Sequence, residues 1–408
     1  MMLCAIRCAI LLALAACARS LHHTAGRIAE TRVRYTGTKR AAASAAPNNG
    51  TSVLCRSGKW LPELFLLGGP KCGTSAMAMQ LIQNGIPSAV DKTGFTNIPQ
   101  ELADDDVDSD SFLAEKEMQF FTGWLRRSKG RWNATLAMQD WTAVMPECPS
   151  LDSQRSLFAD YTPGNLALVP PAASLNIDRE VLAYGYNLTS INLPATLELF
   201  YGEFSPRLSF VVMLREPLSQ LQSLWYHALF VWLQTQLPPI ELLGDLADLP
   251  PQRNATFTSQ LEEALDLVDR GTMPLWLWYA FFGRQLEAYL DHFAAEQFVL
   301  IPMNHFLSEG PARNEVCATL QQRLDFHIEC GAAAPSVNQH EHPPLDEDLP
   351  VASELRARAE TFMSPENERL VQVLYHAYLE GGHLPAFHPQ NTSAPMAFEV
   401  EDWLRAGW

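Results

Sequence analysis

The chain has 408 residues, of which 47% are apolar, so it is long enough for one large α/β domain with a sizeable core and shorter preceding segments. Its formal net charge is -17. Nucleic-acid-binding proteins usually present a basic face, so this charge argues against that class, although a local basic pocket for a nucleotide remains compatible with it.

The first residues are typical of a leader. Residues 8–18 are almost wholly apolar, a run shorter than the roughly 20 residues of a membrane span, and they end in the Ala-Cys-Ala pattern of a signal-peptidase cut. We therefore expect residues 1–18 to be a signal peptide, favoured over a short anchor that would attach the protein to a membrane through its N-terminus. A mitochondrial presequence is a third interpretation, because residues 19–40 hold several arginines and one acid, Glu30.

Five glycosylation sequons of the N-x-S/T type favour the secretory pathway over the mitochondrion. They begin at Asn49, Asn133, Asn187, Asn254 and Asn391. Residues 19–58 are rich in Ala, Thr, Arg, Asn and Gly without apolar periodicity, which predicts a flexible stem. Residues 59–408 then form the main domain.

Five of the eight cysteines lie beyond the leader, at Cys55, Cys72, Cys148, Cys317 and Cys330. Cys317 and Cys330 enclose a short amphipathic stretch and are the best candidates for a disulfide bond. Because five is an odd number, at least one thiol is free or paired with another chain. No Cys-x-x-Cys pair occurs, so we expect no zinc site and no other metal.

The first recognisable unit of the main domain is a strand, a glycine-rich loop and a helix. Residues 63–67 are apolar enough for a buried strand, and residues 74–84 have helical character that ends at Gly85. This order predicts the start of an open α/β sheet.

The loop between them, Gly68-Gly-Pro-Lys-Cys-Gly-Thr-Ser75, is a candidate phosphate-binding loop. Glycines allow the backbone N–H groups to approach an anion, and the helix N-terminus adds a favourable dipole. Lys71 supplies a cation. The lysine precedes the final glycine, so the loop is not a Walker A motif, and a P-loop kinase is disfavoured. Read without its neighbours, the loop is equally well a structural turn.

The loop resembles the 5′-phosphosulfate loop of the PAPS-dependent sulfotransferases, Gly-x-x-Lys-x-Gly-Thr, and it matches at Gly68, Lys71, Gly73 and Thr74. The resemblance implies a single P-loop-like α/β domain with a central, mainly parallel sheet flanked by helices, in the Golgi lumen or on the Golgi membrane. It implies that Lys71 contacts the 5′-phosphosulfate of PAPS and stabilises charge on the bridging oxygen. Among the other residues of the loop, we expect Cys72 and Ser75 also to bind the donor.

Residues 116–121, Lys-Glu-Met-Gln-Phe-Phe, resemble the Lys-Glu-x-x-Phe-Phe segment of the heparan sulfate sulfotransferases, where the glutamate is the catalytic base. Transfer to an alcohol needs a base, because the nucleophile must lose its proton. The resemblance thus implies that Glu117 is catalytic and that Lys116 contacts substrate. Without the resemblance, the Lys-Glu pair is most simply a charged pair on the surface, next to two phenylalanines in the core.

Residues 208–214 form the clearest buried strand, and Pro217 begins a helix that runs through Tyr226. Arg215 follows the strand, and an arginine can hold a phosphate with two parallel hydrogen bonds. This segment resembles the family's 3′-phosphate motif, Arg-Asp-Pro with a later serine, with Glu216 in place of the aspartate. The resemblance implies that Arg215 and Ser223 bind the 3′-phosphate.

A third segment follows a short strand predicted at residues 156–160. It resembles the family's Lys-Thr/Ser-Pro-x-Tyr segment at Thr162 and Pro163, which implies that Thr162 contacts substrate. Tyr161 stands in place of the lysine, and a plain turn is the alternative interpretation.

The last third of the chain is predicted to be mainly helical, after a strand at residues 298–301. Residues 273–293 are predicted to form one long helix with Trp276, Trp278 and Phe282 in the core. Residues 364–370 resemble the start of the family's final helix. Where relatives carry a Lys-Gly-Arg loop over the 3′-phosphate, residues 338–343 lack that triplet, so either His340 or another residue replaces it or donor binding is weaker.

Taken together, these resemblances imply a sulfotransferase that transfers a sulfuryl group from PAPS to a hydroxyl or amine of a glycan, with a heparan-sulfate-like acceptor favoured. Its acidity fits a polyanionic acceptor poorly, so a neutral or lightly charged glycan is an alternative. A tyrosylprotein sulfotransferase and a catalytically silent glycan-binding protein of the same fold are the other readings. No nucleic-acid partner is expected.

Overall fold

The computed structural model describes residues 53–88, 120–121, 132–149, 157–171, 191–235, 256–331, 334, 342–390 and 395–408, with backbone only for 230–235. All of them fall within one compact unit, residues 45–408. Among these described residues, no helix is both long enough and apolar enough to cross a membrane.

Six strands form two sheets in this part of the chain. The strands are β1 (Cys55–Arg56), β2 (Lys59–Trp60), β3 (Leu64–Gly68), β4 (Ala159–Asp160), β5 (Ser209–Leu214) and β6 (Phe298–Pro302). β1 and β2 pair as an antiparallel hairpin, whereas the other four strands form a parallel sheet in the order β4-β3-β5-β6. Every residue of those four strands is buried, because a parallel sheet is covered on both faces.

Helices surround the sheet and supply the crossovers that parallel strands require. They are α1 (Thr74–Gln83), α2 (Ala134–Ala143), α3 (Leu193–Tyr201), α4 (Pro217–Thr235), α5 (Phe257–Asp269), α6 (Leu275–Trp278), α7 (Phe282–Leu290), α8 (Met303–Leu307), α9 (Pro311–Leu324), α10 (Leu345–Asp348), α11 (Glu354–Leu379) and α12 (Ala397–Ala406). The predicted α/β class with a parallel central sheet is confirmed.

The register of the sheet brings three strand ends together. Gly68 at the end of β3 is opposite Met213 of β5, and Leu214 of β5 is opposite Pro302 of β6. The segments that follow β3, β5 and β6 therefore meet at the carboxyl-terminal edge of the sheet. Ligands bind at this edge in open α/β folds.

Two predictions about the helices are wrong. Residues 273–293 do not form one helix, because the chain turns between α6 and α7, with Phe281 N–H donating to the Trp278 carbonyl over 3.0 Å. All four residues of α6 are buried, so this short helix has no exposed face. The core positions of Trp276, Trp278 and Phe282 are confirmed.

The second wrong prediction concerns the helix start at residues 364–370. Pro365 lies inside α11, which begins eleven residues earlier than Pro365, at Glu354. Ser353 caps that helix, since its Oγ accepts a hydrogen bond from the backbone N–H of Arg356 over 3.1 Å. The hydrogen bond to Ser353 therefore marks where the helix begins.

Two disulfide bonds lie in the described region. Cys317–Cys330 confirms the predicted pair, and Cys55–Cys148 is a second bond that the sequence did not indicate. Within the described ranges, Cys72 is the one cysteine with a free thiol. Packing extends into residues 53–58, the end of the predicted stem, where Leu54 is buried and Cys55 is bonded.

Candidate active site

The glycine-rich loop after β3 owes its shape to three residues with positive φ. These are Gly68 at 148°, Lys71 at 70° and Gly73 at 78°. A Cβ on Gly68 would lie 2.7 Å from the Met213 carbonyl oxygen, so only glycine fits beside β5. Lys71 adopts the left-handed conformation without being glycine, a local cost of about 1 kcal/mol or more that is common at functional sites.

The N-terminus of α1 is open to an anion. Its N-cap residue is Gly73, no side chain caps it, and no acidic residue lies in its first turn. The first N–H groups of an α-helix have no partner within the helix. These donors and the helix dipole together favour a bound anion at this end.

The N-terminus of α4, at the same edge, is instead capped by the protein itself. Glu216 accepts hydrogen bonds from the backbone N–H of Leu218 over 3.0 Å and of Ser219 over 2.5 Å. The glutamate that replaces the family's aspartate thus acts as a helix cap. Of these two helix starts, the one without a side-chain cap is therefore that of α1.

Arg215 brings the two predicted anion-binding motifs together. Its Nη1 donates to the carbonyl oxygen of Lys71 over 2.8 Å, although the two residues are 144 positions apart in sequence. Burial lowers the pKa of Arg215, while Cys72 and Glu216 act in the opposite direction. An arginine stays protonated at physiological pH, so the loop has a fixed cation beside it.

Gln220 also lies at the candidate site, although no motif in the sequence indicated it. It is fully buried, its Nε2 donates to the Pro70 carbonyl oxygen over 3.0 Å, and it lies beside Gly69 together with the ring of Phe282. The one signal that marks it in the sequence is its position three residues before Ser223, which puts both on one face of α4.

Ser223 is buried on that face, one turn beyond Gln220. Another turn along, the Tyr226 ring stacks on His342 at a centroid distance of 5.3 Å, and its hydroxyl donates to Asp348 Oδ2 over 2.8 Å. Residues 342–348 therefore pack on α4, and they begin at the end of the segment that lacks the Lys-Gly-Arg triplet. His340 itself lies outside the described residues.

Cys72 packs beneath the loop. Its side chain is fully buried, and its backbone N–H donates to the Gly69 carbonyl over 3.3 Å. Burial raises the pKa of Cys72 to about 12, so the thiol is neutral at physiological pH and is not a nucleophile. Its contact with a donor stays a prediction.

The segment after β4 is fixed by its own contacts. The Tyr161 hydroxyl donates to the Ile86 carbonyl over 2.8 Å, so the residue that replaces the motif's lysine ties β4 to the chain just after α1. Thr162 is 2% exposed, and its backbone N–H donates to Asp160 Oδ1 over 3.0 Å. The predicted substrate contact of Thr162 stays a prediction.

Lys116 and Glu117 lie outside the described residues. The end of their motif is described: Phe120 and Phe121 are buried, with ring centroids 5.4 Å apart. In the described ranges no group of three or more His, Cys, Asp or Glu side chains is arranged to hold a metal ion.

Of the five sequon asparagines, Asn133 is described and exposed. Asn49, Asn187, Asn254 and Asn391 lie outside the described residues.

No family model and no curated protein matches the chain. Among solved structures, it is similar to a sulfotransferase from Alicyclobacillus acidocaldarius, with 16% sequence identity and a TM-score of 0.40. That match covers 79% of this chain and 97% of the bacterial one. An identity this low says nothing about substrate or residue roles.

Proposed function

We propose that the protein is a sulfotransferase that moves a sulfuryl group from PAPS to a hydroxyl or amine of a glycan. The observation that carries the proposal is the hydrogen bond from Arg215 to the Lys71 carbonyl, which unites a predicted 5′-phosphosulfate site with a predicted 3′-phosphate site. PAPS is a nucleotide with anionic groups at both positions, so two adjoining anion sites suit it.

The residues at this edge fit such a donor. The uncapped start of α1, Lys71 and the hydroxyls of Thr74 and Ser75 suit the 5′-phosphosulfate. Arg215 and Ser223 suit the 3′-phosphate, because a guanidinium binds phosphate through two parallel hydrogen bonds. Gln220 connects the two proposed anion sites, because it lies on α4 and its side chain donates a hydrogen bond to the loop.

Each proposed residue role follows from where charge develops. PAPS supplies the sulfuryl group, whose departure leaves negative charge on the bridging phosphate oxygen. Lys71 and the N–H groups of α1 neutralise that charge without having to reorganise. Glu117 accepts the acceptor's proton as the new S–O or S–N bond forms.

Transfer of radiolabel from PAPS to an acceptor panel tests the proposal. The panel holds desulfated heparan sulfate, a neutral oligosaccharide and a tyrosine-containing acidic peptide. We expect label on a glycan, with the heparan-like acceptor preferred. Label on the peptide alone would replace the glycan with a tyrosylprotein acceptor.

Glu117→Gln separates catalysis from binding. We expect turnover to fall about 10²- to 10⁴-fold, the usual effect of losing a general base, with PAPS binding retained. Glu203→Gln, at an exposed glutamate, is the matched control and should behave as wild type. Equal turnover in both variants would refute the role of Glu117.

The silent glycan-binding protein is the second candidate, and Tyr161 is the observation that favours it. The motif's lysine is absent there, and the tyrosine is buried against Ile86. Glycan binding with no transfer to any acceptor would support this reading. Failure to bind PAPS would overturn the proposed function.

A further inference from the structure

The short helix α8 lies directly against the phosphate loop. A Cβ built on Gly73 would be 3.0 Å from Met303 Cγ and 3.5 Å from Leu307 Cδ1. Gly73 is the N-cap residue of α1 and has left-handed backbone angles. Met303 and Leu307 therefore lie against the residue whose conformation orients the first N–H groups of the helix.

On another side, α8 is held by residues near the end of α12. The backbone N–H of Asn304 donates to the Gly407 carbonyl over 2.9 Å, and Asn304 Nδ2 donates to the Trp408 carbonyl over 2.6 Å. A Cβ on Gly407 would lie 2.4 Å from Pro302 Cβ and 2.7 Å from the His305 ring. The fit leaves no room for even one added methyl group.

A third contact joins α8 to α1. The buried Arg313 donates from Nη1 to the Phe306 carbonyl and from Nη2 to Gln80 Oε1, each over 2.9 Å. Arg313 thus connects α8 to α1. A movement of α8 away from Gly407 and Trp408 would disturb this connection or the packing of α8 against Gly73.

We propose that Asn304 and Gly407 are positioning residues for the phosphate loop: they lock α8 so that Met303 and Leu307 hold Gly73 in its left-handed conformation. The loop then presents its N–H groups to an anion in a preorganised geometry. The effect on PAPS binding rests on the proposed function, whereas the effect of α8 on the conformation of Gly73 does not.

Gly407→Ala is the most direct test, with Asn304→Ala as an independent one that adds no bulk. Hydrogen exchange of the peptide that covers residues 69–76 should be several-fold faster in both variants, because α8 no longer restrains Gly73. Binding of adenosine 3′,5′-bisphosphate, the donor product, should weaken about tenfold in both variants, because an anion must then order a loop that α8 no longer restrains. The KM for the acceptor should not change.

Gly382→Ala is the matched control for general destabilisation. Its Cβ would lie 2.8 Å from the Ala377 carbonyl oxygen, a comparable clash at the end of α11. This variant should lose stability and keep wild-type exchange in the loop.

The coupling and the proposed function fail in different ways. Loop exchange in Gly407→Ala and Asn304→Ala no faster than in Gly382→Ala would overturn the positioning role, whatever the ligand. Faster exchange in a protein whose wild type binds neither PAPS nor the bisphosphate would support the positioning role and overturn the proposed function.

Discussion

Arg215 is the residue on which the two halves of the candidate site depend. A guanidinium has five N–H donors in a planar fork. The bond to the Lys71 carbonyl uses one of them and fixes the orientation of the group. The fork therefore has capacity for an anion while it supports the loop, which a smaller cation cannot match.

Replacing Arg215 should weaken donor binding in a graded way. We expect Arg215→Ala to bind adenosine 3′,5′-bisphosphate about 10- to 100-fold more weakly, because charge-assisted hydrogen bonds contribute about 1.5–3 kcal/mol. Arg215→Lys should fall between this variant and wild type. Titration calorimetry measures the dissociation constants.

Arg270→Ala is the control for these titrations, since Arg270 is exposed and bonds to the Asp266 carbonyl of its own helix. It should bind as wild type. If Arg215→Ala also does so, Arg215 has no part in the site.

Asn133 combines a sequon with a helix cap. Its Oδ1 accepts the backbone N–H of Leu136 over 3.0 Å, which caps α2, and the residue is exposed. Glycosylation takes place on Nδ2, so both roles are compatible at one side chain.

Two variants separate the roles of Asn133. Thr135→Ala should abolish the glycan and keep the cap. Asn133→Ala should abolish both and lower the free energy of unfolding by about 1 kcal/mol more than Thr135→Ala. Mobility before and after glycosidase treatment reports the glycan, and urea denaturation reports stability. An unchanged mobility in Thr135→Ala would show that Asn133 is not modified.

At the scale of elements, α7 and α11 make an unusually close contact. A Cβ on Gly283 would be 2.8 Å from the backbone nitrogen of Leu370. Two ion pairs flank this point: Arg284 Nε to Glu366 Oε1 at 2.7 Å, and Arg369 Nη1 to Glu287 Oε2 at 2.9 Å. Glu366 is 6% exposed, and Arg284 is its nearest cation.

Arg284→Ala should therefore be strongly destabilising, because it leaves a buried carboxylate without its nearest cation. We expect a loss of about 3 kcal/mol in the free energy of unfolding. Arg405→Ala is the control, since Arg405 pairs with Glu401 on an exposed helix surface and should cost below about 0.5 kcal/mol. Similar losses in the two variants would contradict a buried network.

At the scale of the whole molecule, the two disulfides of the described residues close loops of very different length. Cys55–Cys148 joins residues 93 positions apart, and Cys317–Cys330 joins residues 13 apart. The second bond lies beside Glu329, whose carbonyl accepts from Gln80 Nε2 over 2.7 Å. The cysteine pair thus fixes a segment that contacts α1, the helix that follows the glycine-rich loop.

Removing each disulfide should destabilise the protein in proportion to the chain entropy that it restrains. The loop-closure relation gives about 4.6 kcal/mol for the Cys55–Cys148 pair and about 3 kcal/mol for Cys317–Cys330. Urea denaturation of the two double-serine variants measures both losses. A larger loss for the shorter loop would show that the Glu329 contacts outweigh the entropy term.

Continuous apolar runs predicted β3, β5 and β6 to within about one residue at each end, because strands buried on both faces carry no polar alternation. Gly85 marked the end of α1 for a similarly local reason, its left-handed conformation with φ of 87°. The turn between α6 and α7 was missed, since every residue near it is apolar and only the shape of the core decides where the chain bends.

The sequence by itself determined the backbone shape and the charge of the glycine-rich loop, because the glycines and Lys71 act through their own backbone angles and side chains. Only the tertiary structure decided what surrounds the loop: Arg215 on the Lys71 carbonyl, Gln220 on the Pro70 carbonyl, and α8 against Gly73. The physical reason is that these contacts join residues 144 and more positions apart. They exist because the register of the parallel strands brings separate strand ends to one edge, and no local pattern encodes that register.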